Sequence, residues 1–307
     1  MTQPSRREML FRIVAAQAGL SACLKASEPE RKMRLVISET MVADVNINDA
    51  RAAMSVWIAR LSADLNFTVE LDPRVFVSSE EVLRRIRTGQ VDGAAMNMIE
   101  YREVADYLDN NGLIVARGGG TGADQFLLIA KRPGARQLSD LRGRRICLFK
   151  SPATYVAPAW LSTILDDAHL GPATSFFAAV TTETKVARVV LPVFFGQADA
   201  CIVTKRGFET MCELNPQVSR DLTAIAASPL MVGCFYAFRR NYHDPARQKF
   251  TDPYKLLASP TGRQLATFFQ FEELMVTDVS ILAPSLKVLE RADRMIGRKP
   301  GGADVSH

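Results

Sequence analysis

Histidine is scarce in this 307-residue chain, with three copies at positions 169, 243 and 307. The five cysteines form no C-x-x-C pair and no cluster with histidine. Zinc centres and haem attachment sites both need such clusters, so the sequence predicts no metal site and no cofactor. The chain also offers no combination of serine, histidine and aspartate suited to nucleophilic catalysis. We therefore do not expect an enzyme.

Blocks of basic residues are also missing. The chain is 48% apolar and 23% charged, which is typical of a globular protein, and its formal net charge is +5. Lysine and arginine do not cluster in runs interleaved with aromatic residues, so we expect no nucleic-acid partner. A mildly basic protein suits a small anionic ligand or a negatively charged membrane surface.

Residues 1–23 predict an export signal rather than part of the fold. The run 5–10 (SRREML) resembles the twin-arginine export motif, with Met9 in place of phenylalanine. The apolar segment 13–22 is too short to span a bilayer as a permanent helix. It ends in 20–23 (LSAC), which resembles a lipobox, and in such lipoproteins the cysteine, here Cys23, carries the lipid.

Two interpretations of this N-terminus remain open. In the first, residues 24–33 tether the domain to a lipid anchor, and the protein is a periplasmic, membrane-anchored lipoprotein exported by the twin-arginine or the general secretory route. In the second, the segment is an ordinary amphipathic helix with Cys23 buried.

Apolar periodicity beyond residue 33 alternates between strand and helix, which predicts an α/β fold. Predicted strands cover 34–38, 67–71, 91–97, 125–130, 145–149, 175–177, 199–204 and 222–227. Predicted helices cover 48–64, 82–88, 100–108, 155–165, 184–195, 208–214, 253–265 and 268–274, with Asn48 or Asp49 capping the first and Ser78 capping the second.

One sequence pattern occurs twice. Residues 89–96 (GQVDGAAM) and 196–204 (GQADACIVT) each contain a helix-stopping glycine, a glutamine, an aspartate and a buried strand. This recurrence predicts two similar lobes built of β-α-β units. We place lobe 1 at 34–122 plus 226–296 and lobe 2 at 123–225, with a loose tail over 297–307.

The stretch 145–165 has the features of an anion site. A buried strand over 145–149 leads into the polar loop 150–154 and then into a helix. The first turn of a helix has free N–H groups and the positive end of the helix dipole, which together favour an anion. The alternative is that Ser151 or Thr154 only caps the helix.

The order of several motifs over nearly 200 residues resembles periplasmic substrate-binding proteins of the phosphate/phosphonate type, the receptors of ABC importers. These motifs are 79–81, 89–92, Tyr101, 138–145 (LSDLRGRR), 151–155 with Pro158, 194–200 (FFGQADA), 214–216 and 227–229. The resemblance implies a two-lobed, type II binding-protein fold, in which each lobe is a mixed sheet flanked by helices and two crossover strands join the lobes. It also implies a small anion held between the lobes and an ABC permease in the inner membrane as partner.

The resemblance further implies which residues bind the ligand. The family holds the anion with a Ser-Thr-Ser loop, and only Ser151 matches it here, because Pro152 and Ala153 take the other two positions. The expected ligand residues are Ser151, Thr154, Tyr155, Lys185 and Thr204 from lobe 2, and Thr40, Asn97 and Tyr101 from lobe 1.

Basic residues replace carboxylates where a receptor for aminoalkylphosphonate needs to bind an ammonium group. The loop after the Asp199 strand reads Thr-Lys-Arg over 204–206, so we do not expect that ligand. Together with Lys150 and Lys185 it favours a more anionic or carboxylate-bearing ligand. The alternative for each of these cations is a solvated surface charge.

Two other functions stay open, a ligand sensor for a membrane kinase or transporter and a biosynthetic enzyme on the same fold.

Overall fold

The computed structural model describes residues 32–42, 45–65, 68–117, 122–252, 257–258, 260–269 and 271–297. The predicted export signal, Cys23, the tether up to residue 31 and the tail from 298 lie outside the described residues. In the part of the chain that is described, no helix is both long and apolar enough to cross a membrane.

The described chain contains both strands and helices along its length. The strands are β1 (Lys32–Ser38), β2 (Thr68–Val77), β3 (Gly93–Asn97), β4 (Asn111–Arg117), β5 (Ala123–Lys131), β6 (Arg145–Phe149), β7 (Ala179–Glu183), β8 (Ala200–Thr204), β9 (Leu222–Val232), β10 (Cys234–Phe238) and β11 (Glu273–Asp278). The helices are α1 (Ile47–Leu65), α2 (Ser79–Arg87), α3 (Met98–Val104), α4 (Ala157–Asp167), α5 (Ala173–Phe176), α6 (Val186–Phe194), α7 (Lys205–Leu214), α8 (Pro216–Asp221), α9 (Ala246–Phe250), α10 (Pro260–Phe268) and α11 (Ala283–Met295).

The strands form one mixed sheet in the order β2-β1-β3-β10-β4-β5-β8-β6-β7, with β11 beside β4 and β9 beside β5. β1 runs parallel to β2 and β3, and β10 is antiparallel to β3. In the other half, β6 runs parallel to β7 and β8, and β5 is antiparallel to β8. The halves meet where β4 and β5 share one pairing, Arg117 with Ala123. β5 and the long β9 pair along their length and are the crossover strands.

The recurring glycine–aspartate pattern has one structural role in both halves. Asp92, just before β3, accepts the N–H of Arg34 at 2.8 Å and pairs with its guanidinium. Asp199, just before β8, accepts the N–H of Arg145 at 2.8 Å and pairs with its guanidinium at 3.4 Å. Each aspartate thereby fixes the start of its own strand against the neighbouring parallel strand. The lobe boundaries at 122/123 and, within β9, at 225/226 stay a prediction.

Two predicted elements are wrong. Residues 175–177, predicted as a strand, lie at the end of the helical turn α5 and just after it, because Pro172 starts that turn and Phe176 and Phe177 are buried core residues. The strand beside β6 is instead β7, which is mostly exposed and polar and so carries no apolar alternation. Residues 268–274, predicted as a helix, end inside β11, whose pairing with β4 overrides the local preference.

The helix caps agree only in part with the sequence. Ser78 accepts the N–H of Glu81, as predicted. The first helix begins earlier than predicted, since Asn46 accepts the N–H groups of Asn48 and Asp49. The predicted caps Asn48 and Asp49 are therefore wrong. No predicted helix corresponds to α11. Its Arg291 forms ion pairs with α4, which join the two halves.

Candidate functional site

A buried carboxylate occupies the carboxyl-terminal edge of β1 and β3. Glu100, on α3, is 3% exposed, and its oxygens accept hydrogen bonds from the hydroxyl of Ser38 at 2.5 Å, the hydroxyl of Ser79 and the backbone N–H of Asn97 at 2.9 Å. The Thr40 hydroxyl lies 3.5 Å from its second oxygen. Burial raises the pKa of Glu100 above its ordinary value, and the hydrogen bonds it accepts partly offset that shift.

Asn97 links the end of β3 to this cluster. Its side-chain oxygen caps α3 by accepting the N–H groups of Ile99 and Glu100, and Glu100 returns the bond to the Asn97 N–H. Both hydrogen bonds of this oxygen are therefore made to the first turn of α3. The amide nitrogen donates to the Thr40 hydroxyl at 3.0 Å. One of its two hydrogens remains for another acceptor.

Tyr155 comes from the other half of the sheet and lies near the Thr40–Glu100 cluster. It follows the loop after β6, and its hydroxyl lies close enough to the Thr40 side chain, at the end of β1, for the two to interact. Burial raises the pKa of the Tyr155 hydroxyl, and the nearby Thr40 side chain opposes that shift. The phenol is therefore neutral and can donate one hydrogen bond. The ends of β1, β3 and β6 meet at this point, which is where open α/β sheets bind ligands.

The predicted anion loop is compact and buried. Ser151 and Thr154 are 2% and 3% exposed, and a 3-10 turn over Pro152–Thr154 separates Ser151 from the start of α4. The Thr154 hydroxyl accepts the Ser151 N–H at 2.9 Å and donates to the Phe149 carbonyl at 2.7 Å. Thr154 thus stabilises the loop from within, and the capping alternative is wrong for α4, which starts after Val156 without a side-chain cap.

Gly233, between β9 and β10, presses against this loop. A Cβ atom at Gly233 would lie 2.2 Å from the carbonyl oxygen of Ala153 and 2.4 Å from that of Pro152. The glycine is itself fixed, because its N–H donates to Gly122 and its carbonyl accepts the N–H of Met98. Only a residue without a side chain allows the loop to approach the chain here.

The remaining predicted ligand residues are Tyr101, Thr204 and Lys185. Tyr101 is 5% exposed and packs edge-to-face on Phe235 in the core. Thr204 is fully buried and caps α7 by accepting the Gly207 N–H. Lys185 is exposed just before α6. Among the described residues, no hydrogen bond or ion pair joins these three side chains to the Thr40–Glu100 cluster.

Arg206, one of the cations predicted near the cleft, already has acidic partners. Its guanidinium lies 3.0 Å from Glu272 and 3.8 Å from Glu213. The Glu272 contact joins α7 to the segment before β11, across the two halves of the molecule. Lys150 and Lys205 are exposed.

In the described ranges, histidine, cysteine and acidic residues form no group of three or more that could hold a metal ion.

Residues 40–278 match the model of the family described as the periplasmic substrate-binding protein of the phosphonate ABC transporter. The matched span is more than half of the 307-residue chain. The chain belongs to this family. As a phosphonate-family binding protein it is an extracytoplasmic component of an ABC transporter, with a small ligand and a permease as partners.

Solved structures of similar fold agree. A binding-protein component of an ABC phosphonate transporter from Pseudomonas aeruginosa has 17% identity and a TM-score of 0.55, with 90% of this chain and 91% of that chain covered. PhnD1 from Prochlorococcus marinus, solved with methylphosphonate, has 14% identity and a TM-score of 0.53, covering 88% and 100%. A Xanthomonas citri protein bound to ATP has 14% identity and a TM-score of 0.58, covering 87% and 98%. At these identities the likeness establishes the two-lobed, type II fold. No curated protein matches the sequence.

Sequence reasoning missed the acidic centre of this binding protein's candidate site. Neither Glu100 nor its partners Ser38 and Ser79 was among the predicted ligand residues. A local signal existed, since Asn97 followed by Glu100 has the spacing of a capping box. The spacing does not reveal that the same carboxylate also binds two hydroxyls from distant parts of the chain.

Proposed function

We propose that the protein captures a small anion, phosphate- or phosphonate-like or another organic anion, between its lobes and delivers it to the permease of an ABC importer. The observation that carries the proposal is the packing of the loop after Ser151 on Gly233, whose carbonyl accepts the Met98 N–H next to Asn97 at the end of β3. It joins the predicted anion loop of one half to the strand ends of the other. A ligand bound at this junction would contact both lobes, as hinge closure around a ligand requires.

The groups available at this junction suit an anion. The second hydrogen of the Asn97 amide and the Tyr155 hydroxyl are donors, and α4 begins two residues after Tyr155, with the positive end of its dipole at this end of the helix. Glu100 fixes the hydroxyls of Ser38 and Ser79 by accepting from them. We infer a positioning role for Glu100, and we infer that the cluster binds its ligand without chemical conversion.

Removing the donors should weaken binding. We expect Tyr155→Phe to lower the affinity for methylphosphonate about tenfold or more, because a hydrogen bond to a charged group contributes roughly 1.5–3 kcal/mol. Ser151→Ala should also weaken binding, with little change in melting temperature. Calorimetric titration of the mature chain measures both effects.

Matched controls come from exposed positions. Tyr107→Phe removes the hydroxyl of a tyrosine that is 43% exposed, and Ser162→Ala removes a hydroxyl that donates to Pro158 within α4. Neither control should change the affinity. Wild-type affinity in both Tyr155→Phe and Ser151→Ala would remove these residues from the ligand site.

We also propose that the mature protein is lipid-anchored through Cys23 after export. The twin-arginine and lipobox patterns occur in the correct order in the sequence. A single lipid chain gives marginal anchoring, so multiple acyl chains on this cysteine would be needed for stable attachment. The Cys23→Ser variant should move from the membrane fraction to the soluble fraction on cell fractionation. A variant that stays in the membrane fraction would contradict the proposal.

A further inference from the structure

An apolar cavity of about 180 Å³ lies between α1 and one face of the sheet. Its walls are aliphatic and aromatic surface almost throughout, with Trp57 on the helix side and Phe271 on the side of the C-terminal segment. For comparison, an apolar cavity of roughly 150 Å³ in a protein core stays dry and binds benzene. This cavity therefore has room for a hydrophobic group of several carbon atoms.

Three wall residues adjoin the candidate anion site. Met41 follows Thr40 in the chain, Pro152 follows Ser151, and Cys234 is paired with Asn97 across β10 and β3. Each of these neighbours is a proposed ligand residue. The cavity is thus next to the anion site and receives one of its walls from the loop of the opposite lobe.

Ala95 provides part of the cavity wall that belongs to the sheet. Ala95, on β3, is paired with Ile37 of β1 on one side and with Tyr236 of β10 on the other, and all three line the cavity. The methyl side chain of Ala95 leaves open the volume that a larger residue would fill.

We propose that this cavity receives a hydrophobic substituent of the anionic ligand, so that the ligand class is organic anions with about three to six apolar carbon atoms. The inference rests on the proposed function. The anionic head lies at Asn97 and Tyr155, and the apolar group extends past Met41 and Pro152 beneath α1. Burial of that group provides affinity that inorganic phosphate cannot gain.

The test is a calorimetric titration of the mature chain with methylphosphonate, n-propylphosphonate and phenylphosphonate. Each methylene buried in the cavity should tighten binding about fourfold, so n-propylphosphonate should bind about 15-fold more tightly than methylphosphonate. Ala95→Leu should bring that ratio close to one by filling part of the cavity. Ala59→Leu, at an exposed position of α1, is the matched control and should leave the ratio unchanged.

The wild-type series decides the question even if Ala95→Leu does not fold. Equal affinities for methylphosphonate and n-propylphosphonate would overturn this inference and leave the proposed function intact. If none of the three phosphonates binds, a phosphonate ligand is excluded, and this inference about its substituent is overturned with it. If folded Ala95→Leu still bound n-propylphosphonate more tightly than methylphosphonate, the substituent would lie outside the cavity. That result would overturn the inference.

Discussion

Alanine in place of Gly233 should lower the affinity for the anionic ligand about 100-fold. The added Cβ would lie 2.2 Å from a carbonyl oxygen of the loop that follows Ser151, and that oxygen belongs to the backbone. The loop would have to retreat by about 1 Å, and a misplacement of that size at a site can cost about 100-fold. Titration of the variant with methylphosphonate measures the loss.

A second glycine provides the control for this prediction. A Cβ at Gly134 would lie 2.6 Å from the carbonyl oxygen of Lys131, also a backbone atom, in the turn after β5 and away from the Thr40–Tyr155 junction. Gly134→Ala should lower the melting temperature and leave the affinity unchanged. If Gly233→Ala bound ligand as tightly as wild type, the loop would not need its present position.

Glu100→Ala should lower the free energy of unfolding by about 3–5 kcal/mol. The substitution leaves the hydroxyls of Ser38 and Ser79 and the N–H of Asn97 without their acceptor inside the protein. Each unsatisfied buried polar group costs roughly 1–3 kcal/mol, and rotation of the hydroxyls recovers part of the loss. Urea unfolding monitored by circular dichroism measures the change.

Glu103 is the matched control on the same helix. Its carboxylate contacts Arg87 at 3.5 Å near the surface, so Glu103→Ala should cost about 1 kcal/mol or less. A Glu100→Ala variant as stable as Glu103→Ala would show that the buried carboxylate does not hold the cluster together. Loss of stability in Glu100→Ala should be accompanied by weaker ligand binding, because Thr40 and Asn97 lose their fixed positions.

The sequence predicted those features that local patterns determine. The run 145–149 is strand β6 with the predicted bounds. A short apolar run that follows a turn at Gly143 favours a buried strand. The two glycine–aspartate patterns correctly indicated equivalent strand starts at Asp92 and Asp199. The family resemblance, which rests on the order of such motifs, predicted the two-lobed fold.

The rest depends on contacts between distant parts of the chain. Ser38 and Glu100 are 62 residues apart, so no local pattern shows that they meet. No pattern in the neighbouring sequence marks Gly233. Its role is evident only in the folded chain, where the loop after Ser151 packs against it. Likewise, β7 is an exposed, polar strand whose existence depends on pairing with β6. The apolar cavity is formed by residues from Leu35 to Leu274, and its volume is a property of the folded chain.

The most direct test of the central claim is a thermal-shift measurement of the mature wild-type protein with phosphate, phosphonates, sulfonates and small carboxylates. A ligand that binds only the folded state stabilises it by roughly 3 kcal/mol at about one hundred times its dissociation constant. We predict a clear rise in melting temperature with one class of anion and a smaller rise for Tyr155→Phe with the same ligand. An unchanged melting temperature with every anion would contradict capture of a small anion between the lobes.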